Sequence, residues 1–393
     1  MRKLEAGRSR LDDGDSVTAC ICRTACSRVI ESRILSNATR FPVRIGNNLP
    51  PPARPDTRPM TQDLRLDILT GWLQQQFPGR PLDIRPASAD ASFRRYFRVT
   101  LDDGTSHVAM DAPPPQEDCR PFLAVQALFE AAGAHVPAVR ARDVERGFLL
   151  LSDLGNTTYL DVLDADNAAA LYHDATSALI DIQKASRPGV LPTYDHDRLL
   201  AEMELFPVWY VGRHLKAELD EKEANALYEV FDRVLAVNLA EPQVFVHRDY
   251  HSRNLMVTRP NPGVIDFQDA VFGPISYDLV SLFKDAYIDW EEDQVLDWLI
   301  RYWQGARNAG LPVRADFADF HRDYEFMGVQ RHLKVLGIFA RLYHRDGKDG
   351  YLKDLPRVMK YLLQTSQRYR DLAPLARLLQ RLEGITPQAG YTF

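Results

Sequence analysis

Between Val244 and Asp269 the chain reads VFVHRDYHSRNLMVTRPNPGVIDFQD, which brings His247, Arg248, Asp249, Asn254 and Asp266 within 20 residues of one another. Phosphoryl transfer from a nucleotide needs a carboxylate beside the acceptor hydroxyl and two oxygen ligands for Mg²⁺. Asp249, then Asn254 five residues on, then Asp266 behind an apolar run supply those groups in order.

Asp249 is the candidate catalytic base, or the residue that orients the acceptor hydroxyl. An unperturbed carboxylate is a weak base, so much of its value lies in position and charge. Asn254 and Asp266 are the candidate metal ligands, Asp266 bridging the β- and γ-phosphates through the ion. Asp269 stands where it could meet a second metal or hold the loop. His247 reads as a packing residue that hydrogen-bonds backbone. Arg248, His251 and Arg253 could meet phosphate or an anionic substrate group, or face solvent. Asp278 suits a helix cap, a brace for the catalytic loop, or both.

Strands over Gln243–His247, Leu255–Thr258 and Gly263–Phe267 are expected to carry these residues. Upstream, the pattern predicts a helix over Leu64–Phe77 and strands over Asp83–Arg85, Phe93–Leu101 and His107–Ala112. A helix over Phe122–Ala132 and a hairpin of Val139–Val144 with Gly147–Leu151 follow. After Asp153-Leu154-Gly155 the chain turns helical, with amphipathic segments at Ala168–Ala185, Leu199–Glu218 and Lys222–Asn238, and again from Asp278 to near Leu382. The fold class is therefore α+β and bilobal, protein-kinase-like, with a small strand-rich N-lobe (residues 60–153) and a larger, mostly helical C-lobe (154–393).

Ala87–Phe93 lies between the first two strands, where a loop covering phosphates belongs. It has Ser88 and Ser92 but no glycine; hydroxyls and backbone N–H groups can still hold phosphate. Val108-Ala109-Met110-Asp111 occupies the place of the strand that carries a phosphate-pairing lysine in kinases, and Asp111 stands where that lysine is expected. Arg94, Arg95 and Arg98 are the substitute cations, alternation setting Arg94 and Arg98 on one face and Arg95 on the other. The run Leu149–Gly155, with Asp153 and Leu154, is the candidate hinge against an adenine.

The 393 residues carry a net charge of −6, distributed unevenly. Residues 1–59 hold 11 Lys/Arg against 6 Asp/Glu, leaving the remainder at −11. An acidic body argues against a nucleic-acid-binding surface, and no run of 18 apolar residues exists to cross a membrane. Cys20, Cys22 and Cys26 read as free thiols rather than a metal site, and the cysteine-poor body fits a reducing cytoplasm. Residues 1–59 lack periodicity, and disorder is expected up to about Pro59. An upstream extension with Met60 as the natural start is favoured over a transit peptide, which Asp12, Asp13 and Asp15 oppose.

With those residues assembled, the chain resembles the aminoglycoside phosphotransferase/choline kinase superfamily. Within it, the body from about residue 62 to 385 is similar to the anomeric kinases of N-acetylmuramate and N-acetylglucosamine. The segments that carry the likeness are Ala91–Val99, Met110–Pro114, Gly263–Ala270 and Gln330–Gly337. Lack of the strand lysine looks typical of that branch. The resemblance implies ATP-dependent phosphorylation of the sugar C1 hydroxyl, with Mg²⁺, in peptidoglycan recycling in the bacterial cytoplasm. It also implies a small amino sugar as partner; the sequence does not set the oligomeric state, with a monomer favoured. Another hydroxyl acceptor (an aminoglycoside, choline or ethanolamine, homoserine) is the alternative, and a non-catalytic pseudokinase the third reading.

For the acceptor, Glu204, Trp209 and Tyr210 form a polar-aromatic cluster with Phe206, although Phe206 suits core. Arg253 and Arg331 are candidate substrate contacts, and Gln330, His332 and Lys334 share the Arg331 helix.

Overall fold

The computed structural model describes residues 63–88 and 93–385, and for Ser88 the backbone only. The expectations for residues 1–59, for Cys20, Cys22 and Cys26, for Ser92 and for the Ser88 side chain lie outside the described residues. The chain divides into two units at Gln62/Asp63, and the described residues belong to the second.

Helix α1 (Leu64–Gln76) starts where the Asp63 carboxylate accepts the Leu66 N–H, 3.0 Å. Strands β1 (Leu82–Ser88), β2 (Arg95–Leu101) and β3 (Ser106–Asp111) follow as a meander. After helix α2 (Arg120–Ala131), β4 (Val139–Asp143) and β5 (Phe148–Ser152) close an antiparallel sheet in the order β1-β2-β3-β5-β4. Strand period two sorts its side chains between two cores. Phe97, Val99, Ala109, Phe148 and Leu150 bury against Leu69, Trp72 and Leu73 of α1. Met110, Leu149 and Leu151, from the opposite face, join Phe122 and Phe129 of α2 in the main core.

That sorting corrects the reading of Asp111. It lies on the α1 face, fully buried, where Arg65 Nε donates to it at 2.6 Å and Arg95 Nη2 at 2.6 Å. The alternate positions, Val108 and Met110, are the ones aligned with the cleft face. Arg95 is likewise on the α1 side, paired with Asp111 and Asp63, and is not among the cavity-lining residues, unlike the expectation for it.

The helical part contains a short turn α3 (Tyr159–Val162), α4 (Ala168–Lys184), α5 (His196–Met203) and α6 (Glu221–Leu239). The expected single helix over Leu199–Glu218 is broken. α5 stops at Met203, and a π-helical segment runs over Phe206–His214. Pro207 is the physical reason, since it lacks an N–H and its ring crowds the carbonyl four residues back, pushing the ladder out of α register.

Two small ladders carry the catalytic segment: β6 (Gln243–Val246) with β9 (Val271–Pro274), and β7 (Leu255–Met256) with β8 (Gly263–Val264). Then come α7 (Tyr277–Phe283), α8 (Glu292–Asn308), the 30-residue α9 (Phe317–Asp346), α10 (Leu355–Arg368) and α11 (Ala373–Leu382). α9 runs through the main core, and at Gly337 it meets the α5 break. A Cβ at Gly337 would sit 2.4 Å from Leu205 Cβ and 2.5 Å from its carbonyl carbon, so only glycine permits this approach. Among the described residues no helix is long and apolar enough to cross a membrane.

Candidate active site

The β6 strand ends at Val246 and delivers a loop held by its own backbone. Asp278, on the first turn of α7, accepts the His247 N–H at 2.7 Å and the Arg248 N–H at 3.0 Å. The α7 cap position is Ser276, so Asp278 braces the loop and is not the cap. His247 is fully buried. Its Nε2 lies 3.0 Å from the Ile265 carbonyl, and its Nδ1 accepts the Asp249 N–H at 3.2 Å. Those partners fix the neutral Nε2–H tautomer, and burial pulls its pKa down. Arg248 adopts φ +78° and Asp266 φ +63°, left-handed conformations costly for such residues and held here by the surrounding bonds.

Asp249 keeps 39% of its side chain accessible while Arg331 beside it keeps 8%, so the carboxylate looks into the cleft from a floor of buried cations. Burial opposes its ionisation, but the charges of Lys334 and Arg331 outweigh that and hold its pKa well below the carboxylate range. Asn254 Nδ2 donates to the Asp249 carbonyl at 3.0 Å and to Asp266 Oδ2 at 3.3 Å, and Gln268 Nε2 donates to Asp266 Oδ1 at 2.8 Å. With its nitrogen so used, Asn254 has its Oδ1 to offer a cation. Among the described residues no three His, Cys, Asp or Glu side chains gather as a metal cage. An amide oxygen and one carboxylate fit a hard ion such as Mg²⁺, which completes its shell with phosphate oxygens and water. Asp269 is exposed and outside the cavity lining.

Behind Asp249 lies a buried cluster centred on Glu202, a residue with no local motif around it. Glu202 of α5 accepts from Arg248 at 2.5 Å, Lys334 at 3.0 Å and Gln330 at 3.1 Å, and also from Tyr194. Tyr277 Oη receives Lys334 Nζ at 2.9 Å and Arg331 Nη1 at 3.1 Å, and the same Arg331 nitrogen donates to the Arg248 carbonyl at 2.8 Å. Burial works against the Glu202 carboxylate, yet Lys334 and Arg248 bring its pKa down to about 2. Asp285 similarly holds the loop from α7's far end, accepting the Ser252 N–H at 2.9 Å and hydroxyl at 2.5 Å.

A cavity of about 550 Å³ joins these groups to both lobes. At one end it is lined by Tyr96, Val108, Phe122, Leu151, Asp153 and Leu154, an apolar slot beside the chain that links the lobes. Arg98 Nε donates to Asp153 at 2.6 Å and Nη2 to the Gly155 carbonyl at 3.0 Å, so Arg98 is the strand cation on the cleft side. Arg94 stands one residue before β2. Asp249, Asn254 and Asp266 occupy the middle. The other end is walled by α9 and α10 through Val335, Ile338, Phe339, Leu342 and Val358, with Arg253 and Tyr287.

Of the expected acceptor contacts, Arg253 and Arg331 line the cavity; Glu204, Trp209 and Tyr210 do not. Glu204 accepts from Tyr228 at 3.5 Å, Trp209 packs on the main core, and buried Tyr210 stacks on Phe206 and donates to Glu383 at 2.8 Å. The Pro207 break turns that face into the protein.

A family model described as "Phosphotransferase enzyme family" matches residues 83–317. The N-acetylmuramate/N-acetylglucosamine kinase of Neisseria meningitidis serogroup B is 52% identical over 330 residues, 83% of this chain and 98% of that one. The Pseudomonas putida protein of the same name is 50% identical over 331 residues, 82% and 97% of the two chains. A choline/ethanolamine kinase family protein from Mesorhizobium loti superposes with a TM-score of 0.54 at 15% identity, covering 80% of this chain and 99% of its own. The GDP complex of aminoglycoside 2′-phosphotransferase-IIIa does so at 0.53 and 14%, covering 78% and 99%. Likeness at such identities concerns the fold, whose strand-rich and helical parts they share. By sequence match and architecture alike, the chain belongs to the phosphotransferase enzyme family.

Proposed function

We propose that this enzyme transfers the γ-phosphoryl group of ATP to the anomeric C1 hydroxyl of N-acetylmuramate, N-acetylglucosamine or both, giving the sugar 1-phosphate. The setting would be peptidoglycan recycling in the bacterial cytoplasm. The observation that carries the amino-sugar part is the identity of about half to kinases so named, running over almost their whole length. The choice of C1 rests on the family resemblance. The site's chemistry is compatible with it, because an anomeric hydroxyl is more acidic than other sugar hydroxyls and gives up its proton more readily to a weak base such as Asp249.

In this reading Asp249 accepts a hydrogen bond from the C1 hydroxyl and aims its oxygen at the γ-phosphorus, taking the proton as the bond to phosphorus forms. Its low pKa makes it an orienting group first and a base second. Asn254 and Asp266 would hold Mg²⁺, which when bound neutralises charge shared by the β- and γ-phosphates. The Tyr96–Leu154 end would take the adenine, with Arg98 next to the phosphates, and the α9–α10 wall would take the sugar. Lys334, paired with Glu202, and Arg331, which donates to Tyr277, keep Asp249 ionised and fixed. A polycationic aminoglycoside suits this end poorly, since an apolar wall with Arg253 beside it offers added positive charge no attraction.

The test is ³¹P NMR of the protein with Mg²⁺–ATP and each sugar. A sugar 1-phosphate resonance is expected. Consumption of neither sugar, with an amino alcohol or aminoglycoside phosphorylated instead, would overturn the substrate while leaving the roles of Asp249, Asn254 and Asp266.

A further inference from the structure

The cations around the cavity differ in what they are bound to. Arg98 is paired with Asp153, Arg248 and Lys334 with Glu202, and Lys284 with Glu325 at 2.6 Å, while Arg331 lies 3.9 Å from Asp249. Arg253 has no carboxylate within ion-pair distance among the described residues. It is held instead by aromatic side chains. Its guanidinium lies 4.8 Å over the Tyr287 ring, and the hydroxyls of Tyr287 and Tyr351 are its hydrogen-bonding neighbours.

A guanidinium stacked on a ring is pre-organised but still short of a counter-charge, the condition for binding an anion in its plane. Its position indicates which anion. Arg253 immediately precedes Asn254, so its backbone belongs to the catalytic loop, while its side chain reaches Tyr287 and Tyr351, beyond α7 and before α10. Those rings pack on Phe339 of the apolar wall that Ile338 and Leu342 continue.

From this geometry we infer that Arg253 is the specificity residue for a carboxylate on the acceptor, the lactyl carboxylate that distinguishes N-acetylmuramate from N-acetylglucosamine. The inference rests on the amino-sugar reading above. The carboxylate pairs with the guanidinium edge, and the lactyl methyl faces the apolar wall. N-Acetylglucosamine lacks both contacts, so discrimination appears in acceptor KM rather than kcat.

The test compares wild type with Arg253→Gln and Arg253→Lys, measuring kcat and KM for both sugars at saturating Mg²⁺–ATP, together with KM for ATP and a thermal melt. A charge-assisted bond of this kind is worth about 10- to 100-fold. Arg253→Gln should lower the N-acetylmuramate to N-acetylglucosamine ratio of kcat/KM by about that factor, through KM for N-acetylmuramate. Arg253→Lys should recover part of the loss. An unchanged ratio with both rates reduced and KM for ATP raised would overturn the inference and assign Arg253 to phosphate. An unchanged ratio with no other effect would overturn it too. Wild type inactive on both sugars would instead bring down the amino-sugar reading, and this inference with it.

Discussion

Glu202 and Lys334 form a buried ion pair, 3.0 Å apart, and Lys334 also lines the cavity with Asp249. The carboxylate also takes Arg248, so one acid from α5 balances two cations from different elements. Removing one partner of such a set leaves buried charge uncompensated, at about 3–5 kcal/mol. Glu202→Gln should therefore lower stability to urea by that order. The pH dependence has a definite sign. Glu202 has a folded pKa of about 2 against an ordinary 4.5, so its contribution is complete above pH 4.5 and lost as pH falls toward 2. Melts from pH 7 to pH 3 should show wild-type Tm falling faster than that of the Gln variant. Parallel slopes would remove Glu202 from the acid limb.

Asp249→Asn keeps the side chain's size and removes its charge. The rate of phosphoryl transfer should fall on the order of 10²–10⁴-fold, while ATP binding measured by calorimetry stays within a few-fold. Wild-type-like kcat would exclude Asp249 from the chemistry.

Asp266→Ala removes the proposed metal ligand and the acceptor for Asn254 and Gln268. Both kcat and the apparent affinity for Mg²⁺–ATP should drop, with the Mg²⁺ activation curve displaced to higher concentration. An unmoved Mg²⁺ curve would reassign the metal to other oxygens.

Gly337→Ala would drive a methyl group into Leu205 at 2.4 Å. Over-packing of this kind costs about 1–3 kcal/mol, read as a lower urea midpoint at unchanged slope. Since Gly337 is within two turns of Lys334 on α9, a loss of kcat at temperatures where the variant remains folded is also expected, and steady-state assays at 20 °C check it.

The grouping of Asp249, Asn254 and Asp266 was legible because short-range spacing sets it: five residues and twelve residues across tight strand-loop turns. Alternation along β2 likewise separated Arg98 from Arg95 correctly. What local sequence does not reveal is which face an element turns toward a distant partner. Asp111 was matched to a lysine position by its neighbours in sequence, but α1 decides which face of β3 is the cleft, and its Arg65 is 46 residues away. Glu204, Trp209 and Tyr210 looked like one face of a continuous helix until Pro207 changed the register. Glu202 gave no local signal at all, since its partners Arg248, Gln330 and Lys334 stand 46 to 132 residues downstream. Asp278 could be read as cap or brace from sequence, and only the two bonds to the loop decide between them.

Helix α9 has a consequence of its own. Arg331 and Lys334 stand on it beside Asp249, and Ile338, Phe339 and Leu342 stand on it along the wall proposed for the acceptor. At 1.5 Å per residue, Arg331 and Leu342 are about 16 Å apart on one rigid rod. Acceptor size and catalytic charge are thus settings at different heights of the same ruler. Substitutions toward its C-terminal end can retune which acceptor fits without disturbing the charges below. One inserted residue between the two stretches would turn the upper part by about 100° and uncouple them.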